Sequence, residues 1–83
     1  MIKRYLLFSQ ITCTKCPTLK EFLKTIDIPG DEIDATNDEG FEEARTYRVM
    51  STPTLIFFDE SDKEIGRALS LEELKAFLQK NKK

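Results

Sequence analysis

The chain has 83 residues, 13 basic against 15 acidic, for a formal charge of −2. That length suits one domain with a core just adequate without staples and leaves no room for a second, and the charge balance excludes the electrostatic footprint of a nucleic-acid binder. No stretch approaches the roughly 20 apolar residues of a membrane span, and Tyr5-Leu6-Leu7-Phe8 after Lys3-Arg4 is shorter than the ~7–15 residues of a secretory signal's apolar core, so a cytoplasmic protein is expected.

Taken in order, Arg4–Ser9 holds an apolar run without alternation, the pattern of a strand covered on both faces. Cys13-Thr14-Lys15-Cys16-Pro17 follows. Over residues 18–26, Leu19, Phe22, Leu23 and Ile26 fall at i, i+3, i+4 and i+7 and predict one helical face, stopped by Ile28-Pro29-Gly30. Residues 32–35 alternate weakly and predict a second strand. Thr36-Asn37-Asp38 offers capping side chains for a helix over residues 39–48, with Phe41, Ala44 and Tyr47 or Arg48 near one stripe. The acidic residues Asp31, Glu32, Asp34, Asp38, Glu39, Glu42 and Glu43 read as a solvated face, with a docking patch for a basic partner as the alternative.

Val49-Met50-Ser51-Thr52-Pro53-Thr54 leads into Leu55-Ile56-Phe57-Phe58, a second continuous apolar run and a predicted central strand. Phe8, Phe57 and Phe58 are assigned to the core. Residues 59–62 make a turn, residues 63–68 return as a strand, and Ser70-Leu71-Glu72-Glu73 is a capping box for a last helix buried through Leu71, Leu74, Phe77 and Leu78. The basic tail from Lys80 to Lys83 reads as a solvated helix end, where cations complement the dipole. The order βαβ, α, ββα predicts a three-layer α/β domain spanning residues 1–83.

The chemistry gathers at the two cysteines, the only ones in the chain. Three residues apart, they close too small a loop to be there chiefly for stability. The same spacing serves a redox disulfide or half of a tetrahedral metal site. The chain has no histidine, so a metal site built of thiolates alone would need two copies pressed together. In the redox reading, the unpaired N–H groups and dipole of the helix start favour a thiolate at Cys13, with a modest screened contribution from the Lys15 ammonium. Cys13 is then the attacking sulfur and Cys16, one turn inward, the resolving one. Pro17 lacks an N–H and fits a first helical turn.

A strand ending before Cys-x-x-Cys at a helix start, Thr52-Pro53-Thr54 before a later apolar strand, and a ββα finish together resemble the thioredoxin superfamily. Within it, the short chain is similar to small glutaredoxin-like thioredoxins, including the redoxins that serve ribonucleotide reductases. The resemblance implies a four-stranded mixed sheet in the order 2-1-3-4 with three helices, the last two strands being antiparallel. It implies a dithiol–disulfide cycle at Cys13 and Cys16, with Thr12, Thr14, Lys15, Thr52 and Pro53 around the substrate. In that family the proline matching Pro53 is cis and faces the cysteine pair, and the preceding residue, here Thr52, offers backbone hydrogen bonds to an extended substrate.

The implied partners are a disulfide-containing protein such as a ribonucleotide reductase, and a thioredoxin-reductase-type flavoenzyme or glutathione as reductant. A monomer without cofactor or metal, and without nucleic-acid or membrane partners, is expected. Against the family pattern, Thr12 stands where thioredoxins usually carry Trp, and Leu7 where they bury an Asp. Gln10 stands where glutaredoxins carry Lys, and Leu69-Ser70 replaces their Gly-Gly turn. A redox-inert, metal-bridged dimer is the non-enzyme alternative.

Overall fold

The computed structural model describes residues 2–80. It contains strands β1 (Arg4–Ser9), β2 (Gly30–Asp34), β3 (Thr54–Phe58) and β4 (Glu64–Ala68), and helices α1 (Cys16–Leu23), α2 (Asp38–Thr46) and α3 (Leu71–Lys80). They form one sheet in the order β2-β1-β3-β4. β1 runs parallel to β2 and antiparallel to β3, and β4 returns antiparallel on β3. The expected order, sheet and helix count are therefore present. Lys80 ends α3, and residues 81–83 of the basic tail lie outside the described residues.

The two unalternating apolar runs have a simple cause. They are the central strands, and each feeds two cores at once. Leu7, Leu55 and Phe57 point to a cluster with Leu19 and Leu23 of α1 and Leu74 of α3. Leu6, Phe8, Ile56 and Phe58 point to the other face, against Ala44 of α2 and the partly buried Tyr47. Phe8, Leu55, Ile56, Phe57 and Leu74 are all 0% exposed. Phe77 stacks on Phe57 at 4.6 Å between ring centroids, and a Cβ at Gly66, which pairs with Phe57 across the strands, would stand 2.2 Å from the Phe77 ring. Gly66 thus clears the path by which α3 reaches the sheet.

Several boundaries differ from expectation. α1 begins at Cys16 rather than residue 18 and ends at Leu23, so Ile26 packs on the core from beyond the helix. β2 begins two residues early, at Gly30. Asn37 caps α2 by accepting the Gly40 N–H at 2.6 Å, with Asp38 and Glu39 in the first turn. Phe41, expected on the buried stripe, is 55% exposed. The face that packs is instead Gly40 and Ala44, because α2 approaches β2 so closely that a Cβ on Gly40 would lie 1.8 Å from the Asp34 carbonyl oxygen.

α2 closes before Arg48 through a two-bond motif: Val49 N–H donates to the Ala44 carbonyl at 2.7 Å and Arg48 N–H to that of Arg45 at 3.1 Å. Arg48 takes the left-handed conformation this motif needs, with φ of 58°. Usually glycine fills that place, so no sequence signal marked the stop.

Gly40→Ala and Arg48→Gly should therefore move stability in opposite directions in urea unfolding. We expect a loss of about 1–3 kcal/mol for Gly40→Ala, from overpacking against β2. Arg48→Gly should gain on the order of 0.5 kcal/mol, relief of left-handed strain being partly offset by a freer unfolded chain.

Candidate functional site

The antiparallel pairing of the central strands builds the site. Phe8, near the end of β1, lies opposite Thr54, the first residue of β3. The segment leaving β1 and the segment entering β3 therefore emerge side by side at the same end of the two central strands. The first carries Cys13 and the second carries Pro53.

Segment 10–15 is tied at both ends. Buried Ser9 donates its hydroxyl to Glu32 Oε2 at 2.7 Å, and Lys20 of α1 pairs with the same oxygen at 2.7 Å. β1, β2 and α1 are joined there, and the hydrogen bonds from Lys20 and then Ser9 hold the Glu32 carboxyl below its usual range. Between these anchors the chain turns, with Cys13 N–H donating to the Gln10 carbonyl at 3.1 Å. Lys15 caps α1 without a side-chain bond, Pro17 occupies its first turn, and no acidic residue stands in that turn. The N–H of Cys16 and Thr18 thus belong to the set with no acceptor inside the helix.

Cys13 and Cys16 form a disulfide, their Cα atoms 5.5 Å apart. The sulfurs are not equivalent. Cys16 opens α1 and is 2% exposed, whereas Cys13 sits three residues ahead of the helix and is half-buried. Cys13 lines an open groove of about 310 Å³ with Gln10, Thr12, Thr14, Lys15, Ser51, Thr52, Pro53 and Leu69. Of the residues expected at the site, Thr12, Cys13, Thr14, Lys15, Thr52 and Pro53 border this groove, and Cys16 is buried behind Cys13. The Thr52–Pro53 peptide is cis and Pro53 is buried. Thr54, itself 2% exposed, donates its hydroxyl to the Ser51 carbonyl at 2.6 Å and closes the turn around the proline.

Gln10 and Leu69 were visible in the sequence only as departures from a pattern and Ser51 only as part of the segment leading to Thr52, and their place in the groove wall is a tertiary fact. The acidic cluster is elsewhere: all its members border a separate depression of about 920 Å³ between β2 and α2. Among the described residues no group of three or more His, Cys, Asp or Glu is placed to hold a metal ion, and no helix is long and apolar enough to cross a membrane.

A cysteine pair at a helix start facing a proline turn, on a four-stranded sheet of this order, defines a thioredoxin fold. The sequence model of the thioredoxin domain family matches residues 7–79, and the chain belongs to that family. The structure superposes on thioredoxin O2 of Arabidopsis thaliana in its oxidised state with a TM-score of 0.81 at 17% identity, covering 99% of this chain and 76% of that one. For the reduced Schistosoma mansoni thioredoxin pre-protein the TM-score is 0.74 at 23% identity, over 93% of this chain and 76% of that one. For a Thermus thermophilus thioredoxin it is 0.70 at 24%, over 93% and 68%. At such identities the likeness speaks for the fold. No curated protein sequence matches the chain at a significant level.

The unequal burial of the sulfurs predicts unequal reactivity in the reduced protein. Iodoacetamide at neutral pH should modify Cys13 well before Cys16, as read by peptide mass spectrometry over time. Equal rates, or a faster Cys16, would contradict the assignment of the accessible sulfur.

Proposed function

We propose that this protein is a cytoplasmic, monomeric, single-domain thiol–disulfide oxidoreductase that reduces disulfides in protein substrates through a Cys13/Cys16 dithiol–disulfide cycle. The observation that carries this reading is the arrangement of one disulfide with an accessible sulfur on a groove and a buried sulfur beneath it. Only a thiolate attacks a disulfide, and a free cysteine near pKa ~8.5 is mostly protonated at neutral pH, so the attacking sulfur needs help. The free N–H groups and positive end of α1, with Lys15 beside them, favour the anion at Cys13.

The cycle balances as follows. The Cys13 thiolate attacks one sulfur of the substrate disulfide, forming a mixed disulfide and releasing the other sulfur as a thiolate that takes a proton. Cys16, on losing its proton, attacks Cys13 Sγ, which forms the Cys13–Cys16 bond and releases the second substrate thiol. Two electrons and two protons have passed to the substrate. Thr12, Thr14 and Lys15 line one wall of the groove and Thr52 and Pro53 the other, where the Thr52 backbone would bond an extended substrate segment; a ribonucleotide reductase is one such substrate on the family resemblance.

A metal bridge held by the cysteine pairs of two copies needs both sulfurs at the surface, and the burial of Cys16 weighs against it. For the reductant, a thioredoxin-reductase-type flavoenzyme is favoured over glutathione. Glutathione brings two carboxylates that must find cationic or N–H partners. Of the donors beside the groove, two are taken: Glu73 accepts the Leu69 N–H at 2.7 Å through its side chain and donates its own N–H to Ser70 Oγ at 3.1 Å, which leaves Lys15 and the α1 start for one of the two carboxylates. Glu72 adds a carboxylate to the adjoining depression shared with Lys15.

Two measurements test this reading. In insulin reduction, Cys13→Ser should abolish activity, whereas Cys16→Ser should accumulate a mixed disulfide with substrate, visible on a non-reducing gel. Activity surviving in Cys13→Ser would refute the mechanism. With the oxidised protein as substrate at matched pH, kcat/KM should be higher for the flavoenzyme than for glutathione; the opposite order would install a glutathione-dependent reaction in its place.

A further inference from the structure

The cycle leaves open which disulfides the groove accepts. Two independent features of its surroundings bear on that choice.

The first is apolar. Among the described residues five large apolar side chains stand exposed: Ile11, Phe41, Met50, Ile65 and Leu69. Phe41 belongs to α2 and Ile65 to β4, whereas the other three lie on the segments that line the groove. Leu69 lines it, and Ile11 and Met50 each adjoin a lining residue, Thr12 and Ser51. Ile11 is 87% exposed and Met50 92%. Loop tips ordinarily carry small polar residues, and apolar side chains gathered at one place on a surface mark a contact.

The second is charge. Lys15 alone among the groove-lining residues is charged. Its ammonium has no ion pair among the described residues, a state it shares with Lys3, Arg48, Lys63, Lys75 and Lys80, but of these it alone lines the groove. Glu72 shares a second depression with Lys15 without pairing to it. The acidic cluster lies between β2 and α2, so a chain of net charge −2 presents an uncompensated cation beside its accessible sulfur.

We infer that the groove selects protein disulfides whose cysteine stands in an extended segment with an apolar residue on one side and a carboxylate on the other, the carboxylate meeting Lys15 and the apolar residue meeting Ile11, Met50 and Leu69. The inference rests on the oxidoreductase reading above. Lys15 and Met50 are then specificity-determining, Lys15 through attraction that salt screens and Met50 through contact that salt leaves in place. A segment with a lysine in place of the carboxylate meets repulsion at the moment of attack.

The experiment uses the full-length reduced protein and four peptides of equal length. Each carries one cysteine as a mixed disulfide with 2-thiopyridine, with Leu or Ser on one side and Glu or Lys on the other. Release of the thiopyridone gives the second-order rate. The Glu peptides should react about threefold faster than the Lys peptides at low salt, the size an exposed ion pair supports, and the gap should close at high salt. Leu peptides should outrun Ser peptides at either salt. Lys15→Glu should invert the Glu-to-Lys ratio and Met50→Ser should shrink the Leu-to-Ser ratio. Ratios within one variant cancel any change in Cys13 reactivity. Either ratio at unity in the unmodified protein overturns the inference and leaves the oxidoreductase reading standing; no reaction with any peptide and none with insulin overturns both.

Discussion

The antiparallel pairing of β1 with β3 is the contact on which the rest depends. These strands supply both faces of the sheet with apolar side chains, against which α1 and α3 pack on one side and α2 on the other. The register that sets Phe8 opposite Thr54 also sets the exit of one strand beside the entry of the other. Two segments far apart in sequence are thereby held at one end of the central strands, and the cysteine pair and the proline turn come together as a by-product of burying phenylalanines and leucines. Core and site share one cause.

The supporting contacts are polar and sit where the apolar sheet ends. The Ser9–Glu32–Lys20 cluster fastens the start of the cysteine segment, and the Thr54 hydroxyl fastens the proline turn through the Ser51 carbonyl. Arg67 on β4 donates to both Glu64 and the Tyr47 carbonyl, tying the closing end of α2 to the sheet just ahead of that turn. The side-chain pairs are partly exposed and individually worth little. Their effect is positional, because each restrains a segment that lacks regular hydrogen bonding of its own.

Burial divides the labour between the cysteines. Cys16 is held in the protein interior as the first residue of α1, and Cys13 stands ahead of the helix on the groove. A symmetric pair would offer an incoming disulfide two equivalent sulfurs; this one offers one. In the proposed cycle the helix start favours the anion at Cys13, while Pro17 removes one of the N–H groups that would otherwise need solvation.

Much of this was legible in the chain itself. The runs at Tyr5–Phe8 and Leu55–Phe58 declared central strands because an unalternating apolar segment is tolerable only when covered on both sides, and Cys-x-x-Cys-Pro ahead of a helical stripe declared the redox site. Local signals of that kind survive without the fold. The end of α2 did not, because its closing motif uses Arg48 in a conformation usually left to glycine, and neither did the exposure of Phe41, whose helix turns Gly40 and Ala44 to the sheet. The groove wall was also out of reach: that Leu69 from beyond β4, Ser51 from before β3 and Gln10 from after β1 meet around Cys13 follows from strand order and register. Sequence alone singled out the residues to which the chemistry is assigned, since a cysteine pair at a helix start, joined to Thr52-Pro53 before a later apolar strand, narrows the two uses that the spacing allows. The helix start already put Cys16 inward of Cys13; only the tertiary structure decided what surrounds the outward sulfur, because the groove wall is built by packing between segments distant in the chain.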